Sequence, residues 1–193
     1  MPGPNGVVSN VEIVMATSNV HKVEEANHVL KEFGVVLVGQ DIKGEEIQSL
    51  DPVKVAKASL EAALPGFGRP LVVEDTGLCV NALGGFPGAL ASHAFDTIGN
   101  RGILKLLDGE KDRSAYFEAA VAYGVPPDQI WIFTGRVHGT ISHEPRGERG
   151  FGFDPIFIPS GHTRTFGEMT LEEKGGISHR SLAFRRLGFW VTR

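Results

Sequence analysis

The residues with the greatest capacity for chemistry are Glu74 and Asp75, adjacent carboxylates that close the apolar run Leu71 to Val73 in LVVEDTGLCVNALGGFPG. Short β-branched runs of this kind read as buried strands, which puts acid at the lip of a sheet. Side chains alternate along a strand, so the two carboxylates would face opposite ways unless the strand breaks; Thr76-Gly77 predicts such a break. Both carboxylates would then aim at one cation. Hard cations such as Mg2+ take oxygen ligands, commonly one or two carboxylates with substrate phosphates, and a carboxylate beside them can take a proton from water. Read alone, the pair is more commonly a solvated acidic turn, so its partners elsewhere in the chain decide its meaning.

Partners of suitable chemistry occur on both sides. Upstream, the strand candidate Val11 to Ala16 (VEIVMA) runs into Thr17-Ser18-Asn19, residues that cap a helix. The free amides and dipole of that helix favour an anion, and Lys22 in its first turn can reach the same phosphate. The glycines of a Walker loop are missing, and an ordinary capped helix with Lys22 in solvent satisfies the same local pattern. Lys57 follows the apolar Ala56 on a second helix and either leans toward a cleft or snorkels to water. Downstream, GERGFGFDPIFIPSGHTRTFGEM is dense in glycine, aromatics and charge and reads as a site loop. Gly150 and Gly152 allow close backbone approach, Phe151 or Phe153 offers a flat face for a base, and Asp154 is restrained by Pro155; the alternative buries both rings as core. Ser178-His179-Arg180 opens the last helix, where His and Arg read a base edge or phosphate, or merely cap the helix and pair at the surface.

The elements that must position these residues follow from periodicity. Val23, Ala26, Leu30 and Phe33 form the buried stripe of the first helix, with Lys22, Glu24, Glu25, Lys31 and Glu32 on its other faces and Gly34 as its stop. Val35 to Val38 is a second strand, and Ile42 to Gln48, with Glu45 and Glu46, has no clear structure. Asp51-Pro52 opens a helix that buries Val53, Ala56, Leu60 and Ala63 and ends near Pro65-Gly66. Helices are predicted around Ala89 to Ile98 and Gly102 to Leu107. Tyr116 to Tyr123 and Ile130 to Arg136 form two strands of a hairpin, whose proline-rich connection is the best site for length variation. Thr170 to Glu173 matches a capping box, with Lys174 before a Gly-Gly break, and the final helix buries Leu182, Leu187 and Trp190.

Composition bounds the rest. The chain has 193 residues, enough for one domain or two lobes sharing a sheet, and its single cysteine, Cys79, excludes an internal disulfide and fits a reducing compartment. The first ten residues, MPGPNGVVSN, read as a flexible extension too polar for a secretory signal, and no apolar stretch nears the ~18 residues of a membrane span, so a cytoplasmic protein is expected. A formal net charge of -4 argues against broad binding to nucleic acid. The seven histidines are scattered without H-E-x-x-H spacing, which disfavours a zinc hydrolase.

Several segments taken in order resemble the Ham1/inosine triphosphatase family of non-canonical purine nucleotide pyrophosphatases: ATSNVHK its (T/S)-(G/S)-N-x-x-K start, VVEDTGLCVNALGGFPG its central acidic segment, and RGERGFGFDPIF with TFGEMTLEEKGGISHRSLA its base-binding end. The resemblance spans the chain from Val11 to the last helix. It implies an α/β fold with a mixed central sheet flanked by helices, residues 11–193 forming one domain of two lobes with the substrate cleft between them, and a homodimer. It also implies Mg2+-dependent hydrolysis of ITP, dITP or XTP at the α-phosphorus to a monophosphate and pyrophosphate. Carried over by residue, Thr17, Ser18, Asn19 and Lys22 line the phosphate end and Lys57 and Lys174 approach the triphosphate. Glu46, Glu74 and Asp75 match the metal carboxylates, although Glu45 stands where the family has proline beside the first. Asp75 is the expected general base and Thr76 a substrate contact. Phe151 matches the stacking aromatic, and Gly152, Phe153, Asp154, His179 and Arg180 match the surroundings of the base. A pyrophosphatase for modified pyrimidine nucleotides and a nucleotide-binding sensor without turnover are the competing expectations.

Overall fold

The computed structural model describes residues 11–42 and 47–193. The first-ten-residue extension and Glu46 lie outside the described residues. Seven strands form one sheet: β1 (Val11–Ala16), β2 (Val35–Gln40), β3 (Leu71–Val80), β4 (Pro87–Gly88), β5 (Ser114–Val125), β6 (Gln129–Ile141) and β7 (Phe157–Pro159). Their order is β2-β1-β3-β5-β6-β7, with β4 paired on β3. β1 runs parallel to β2 and β3, and the pairs β3-β5, β5-β6 and β6-β7 are antiparallel, so the sheet is mixed. Parallel neighbours need a crossover. Helices α1 (Val20–Leu30) and α2 (Pro52–Phe67) supply the two crossovers, and α3 (Ala91–Leu106), α4 (Leu171–Ile177) and α5 (His179–Val191) complete the fold.

Local chemistry accounts for most boundaries. Asn19 caps α1 and Asp51 caps α2, each accepting backbone amides of the first turn, and Thr170 with Glu173 closes a reciprocal capping box on α4. α2 runs through Pro65 to Phe67 and stops at Gly68, which adopts φ 71°. The stop expected at Pro65-Gly66 therefore falls later, because the last turn requires a left-handed residue and Gly68 supplies it. Gly175-Gly176 does not break α4, whose capping box holds it to Ile177. The predicted pair of helices in α3 meets at Gly99, which is non-helical (φ 61°, ψ -168°). On α5 Ala183, Phe184 and Leu187 are buried in the core and Trp190 packs against it half-buried, as expected for Leu187 and Trp190, whereas Leu182 is only half-buried.

The strand break expected at Thr76-Gly77 is absent: β3 continues for ten residues, each paired with β5. This continuity sets the plan of the molecule. Residues 71–73 of β3 and 119–123 of β5 belong to cores under α1, α5 and α2, whereas Leu78 and Val80 with Ala115 and Phe117 belong to a second core under α3 and the 153–169 segment. Glu74 to Gly77 occupy the waist between them. The 147–169 segment, read from sequence as a site loop and not core, contributes Phe153, Ile156, Phe157 and Phe166 to that second core. No helix among the described residues is long and apolar enough to cross a membrane.

Candidate active site

An open cleft of about 540 Å3 is lined by Thr17, Ser18, Asn19 and Lys22 at the start of α1, Asp75 and Thr76 on β3, Phe151 to Phe153, and His179 and Arg180 on α5. Asn19 Oδ1 accepts the amides of His21 (3.0 Å) and Lys22 (3.3 Å), and Thr17 Oγ1 accepts the amide of Asn19 (3.1 Å). These bonds fix the entry into α1 directly after the parallel strand β1. The helix N-terminus, with its positive partial charge, thus opens beside the carboxyl end of β1.

Strand alternation then separates the acidic pair. Leu71 and Val73 pack under α2, whereas Val72 faces α1 and α5; in an unbroken strand Glu74 and Thr76 follow Val72, and Asp75 follows Val73. Glu74 meets Lys22 Nζ of α1 at 2.7 Å and Arg180 Nε of α5 at 3.0 Å, and Thr76 donates its hydroxyl to Glu74 and accepts from Arg180 (3.1 Å). Both Glu74 oxygens are engaged in these pairs, and the break that would have turned the two carboxylates the same way is absent. Both carboxylates line an adjoining cavity of about 370 Å3 with Lys22, Asp41, Thr17, Ser18 and Ser59 of α2, but of the two only Asp75 also lines the cleft. Burial alone would raise the Glu74 pKa, but the charges of Arg180 and Lys22 outweigh it and hold the carboxyl at about 2.

The base end is a buried, charge-balanced cluster. Lys174 Nζ meets Glu25 and Asp154 at 2.6 Å each, and Arg180 reaches Glu25 at 2.6 Å as well as Glu74. Asp154 also accepts the Phe151 amide (2.9 Å), which pins the turn that carries the Phe151 ring. Burial raises the Asp154 pKa despite Lys174, with Glu25 pushing the same way, whereas Glu25 is lowered because Arg180 and Lys174 outweigh its burial. Lys174 Nζ and Arg180 Cζ each stand 5.2 Å from the Phe151 ring centroid. His179 stacks on Phe117 (4.5 Å, 14°), and its Nδ1 is buried without a hydrogen-bond partner among the described residues. Burial, then the charges of Arg180, Lys174 and Lys22, lower its pKa well below the usual value, so the imidazole is neutral.

Three expected residues are placed differently from expectation. Lys57 is exposed on α2 and pairs with Glu61 at 3.6 Å, one turn along the same helix. Phe153 reaches the cleft lining but is 3% exposed and serves the second core, packing edge-on against Phe95, so Phe151 is the more accessible of the two rings. Lys174 lies beneath Phe151 in the charge cluster and does not line the cleft. One residue was missed: Glu25, placed by sequence on the polar side of α1, is buried. The available signal was its spacing of four from Val29 within a helix whose Ala26 and Leu30 are core. Among the described residues no three His, Cys, Asp or Glu side chains form a metal-binding group.

The family model for the Ham1 family matches residues 13–190. The chain belongs to the Ham1 family. A Methanopyrus kandleri protein named dITP/XTP pyrophosphatase is 44% identical over 180 residues, covering 93% of this chain and 96% of its own length. A Saccharolobus solfataricus protein of the same name is 47% identical over 178 residues, covering 91% of each. Among solved structures, a HAM1 protein from Coxiella burnetii aligns with a TM-score of 0.83 at 31% identity, covering 94% of this chain and 98% of that one. The Staphylococcus aureus Ham1 protein gives 0.80 at 29% identity, with 93% and 97% coverage. These likenesses run nearly end to end, so the waist carboxylates and the base-end cluster both lie inside the Ham1 match.

Proposed function

We propose that this Ham1-family chain is a nucleoside triphosphate pyrophosphohydrolase that removes ITP, dITP and XTP by hydrolysis at the α-phosphorus to the monophosphate and pyrophosphate. The observation that carries it is the single cleft in which an anion-favouring helix start, a waist carboxylate and an aromatic face beside fixed cations all meet. The relatives named dITP/XTP pyrophosphatase support the substrate class.

In this reading Thr17, Ser18, Asn19 and Lys22, at the positive end of the α1 dipole, hold the phosphates. Asp75 orients the attacking water and takes its proton, and pyrophosphate leaves toward the same cationic end. Hypoxanthine and xanthine present a 6-oxo acceptor and a protonated N1, while adenine presents a 6-amino donor and a bare N1. Arg180, which lines the cleft, is a donor only, so it suits the oxo edge, and an amino group placed against it sets donor against donor. Such a mismatch is worth up to about 10⁴-fold in discrimination. The base stacks on Phe151 over Gly152, with Asp154 and His179 completing the polar surroundings of its edge and Thr76 holding Arg180 in place.

A hard divalent cation fits the residues present, because Asp75, Asp41, Thr17 and Ser18 bring oxygen donors to one cavity, whose cation Lys22 is paired with Glu74. Asp75 would hold Mg2+ there together with substrate phosphates, Glu46 being the further ligand that the family resemblance implies, while Glu74 anchors Lys22 and Arg180. When bound, the ion neutralises phosphate charge that the protein's own cations leave unmatched. A cytoplasmic setting fits the buried free thiol of Cys79, and a homodimer fits the apolar surface that α3 exposes at Phe95, Ile98 and Leu106.

The test is pyrophosphate release from ITP, XTP, GTP, ATP and dTTP, each with Mg2+ and with EDTA. Metal-dependent release concentrated on ITP and XTP is expected. Release from dTTP alone would mean that the base end is misread, and none from any would leave a binding protein without turnover.

A further inference from the structure

His21, on the exposed first turn of α1, stacks on Phe151 with ring centroids 5.5 Å apart and planes 17° from parallel. A base intercalated between two rings needs about 7 Å, twice an ordinary stacking distance, so nothing fits between these two as they stand. The other groups drawn up to the Phe151 ring are immobile: Lys174 and Arg180 are buried and locked to Glu25, Asp154 and Glu74. Among the described residues His21 makes no such side-chain bonds, and it sits on an exposed turn. The pair also forms a partition, since His21 and Phe151 both line the main cleft and both line a second cavity of about 320 Å3 that contains Glu25 and Lys174.

We infer that His21 is a placeholder for the base: its imidazole covers Phe151 when the site is empty and is displaced when a purine stacks there. The inference rests on the proposed purine nucleotide reading and adds a residue to it. Displacement costs the same whichever base arrives, so His21 weakens binding of every base-bearing ligand equally while leaving a base-free polyphosphate untouched. It also speeds departure of the monophosphate product, because the ring recaptures Phe151 as the base leaves. An aromatic pair of this kind is worth roughly a three- to tenfold change in affinity.

The experiment measures binding of inosine 5′-monophosphate and of inorganic tripolyphosphate by calorimetry to the native chain, His21→Ala and His21→Phe. His21→Ala is expected to bind the monophosphate about three- to tenfold more tightly and tripolyphosphate unchanged, while His21→Phe, which restores a ring over Phe151, binds the monophosphate no better than the native chain. Weaker binding by His21→Ala would overturn the inference by making His21 a supporting wall. Equal binding by all three chains, or a parallel change for tripolyphosphate that points to a distorted helix start, would overturn it too. Failure of the native chain to bind the monophosphate at all would instead overturn the proposed function.

Discussion

Asp75 and Glu74 are chemically similar neighbours given opposite duties by one step of strand alternation. Glu74 is enclosed by Lys22, Arg180 and Thr76, so its charge is consumed in holding α1 and α5 to β3. Asp75 lines both the cleft and the adjoining cavity and is the proposed proton acceptor. Asp75→Asn preserves shape and hydrogen-bonding capacity but removes the acceptor, so turnover of ITP should fall by about 10²- to 10⁴-fold while inosine monophosphate still binds. Steady-state kcat together with calorimetric Kd decides this, and turnover at the native rate would reassign the base. The identity of the acidic pair was legible in the sequence; its division of labour was not, because Thr76-Gly77 looks like a strand end in isolation. Glu25 was illegible for a related reason. Carboxylates are rarely buried unless paired, and its partners Lys174 and Arg180 are 149 and 155 residues away.

At the scale of elements, local signals served well wherever the controlling chemistry is local. The caps Asn19 and Asp51, the Thr170-Glu173 box and the β5-β6 hairpin all act within a few residues of themselves and were readable. What positions the site is less local: α5 must lie close on β6 for His179 and Arg180 to reach the cleft. Gly135 of β6 permits that approach, since a Cβ there would overlap the His179 carbonyl oxygen and the Ala183 amide nitrogen. Gly135→Ala should therefore cost about 1–3 kcal/mol or more of stability and raise KM for ITP, as the first turn of α5 is pushed off the sheet. Gly176→Ala is the matched control. Its added methyl meets nothing within 4 Å in α4, so unfolding should be unchanged or slightly later. Thermal unfolding of both variants, read beside KM, tests the contact directly, and a Gly135→Ala chain with native Tm and KM would refute it.

Across the whole molecule, the cluster of Lys22, Lys174 and Arg180 with Glu25, Glu74 and Asp154 is a fastener, because its pairs join α1, β3, α4, α5 and the Phe151 turn. Three cations balance three carboxylates, so protonating Glu25 or Glu74 leaves positive charge unmatched. For Glu74 the folded pKa of about 2 lies below the ordinary 4.5. The unfolded chain therefore takes up that proton first: the stabilisation is fully present above pH 4.5 and is lost as pH falls toward 2. Glu25 acts in the same direction, and Asp154, whose pKa is raised, acts in the opposite one. The native unfolding curve thus mixes contributions, and a difference measurement separates them. Glu74→Gln removes the titrating group while leaving Lys22 and Arg180 short of a partner, at a cost of about 3–5 kcal/mol near neutral pH. Urea unfolding of the native and Glu74→Gln chains at intervals from pH 7 to pH 2 should show a gap that is constant down to about pH 4.5 and narrows below it. A gap independent of pH would show that Glu74 contributes by packing and hydrogen bonding, and that the charge balance of the base end does not fasten the fold.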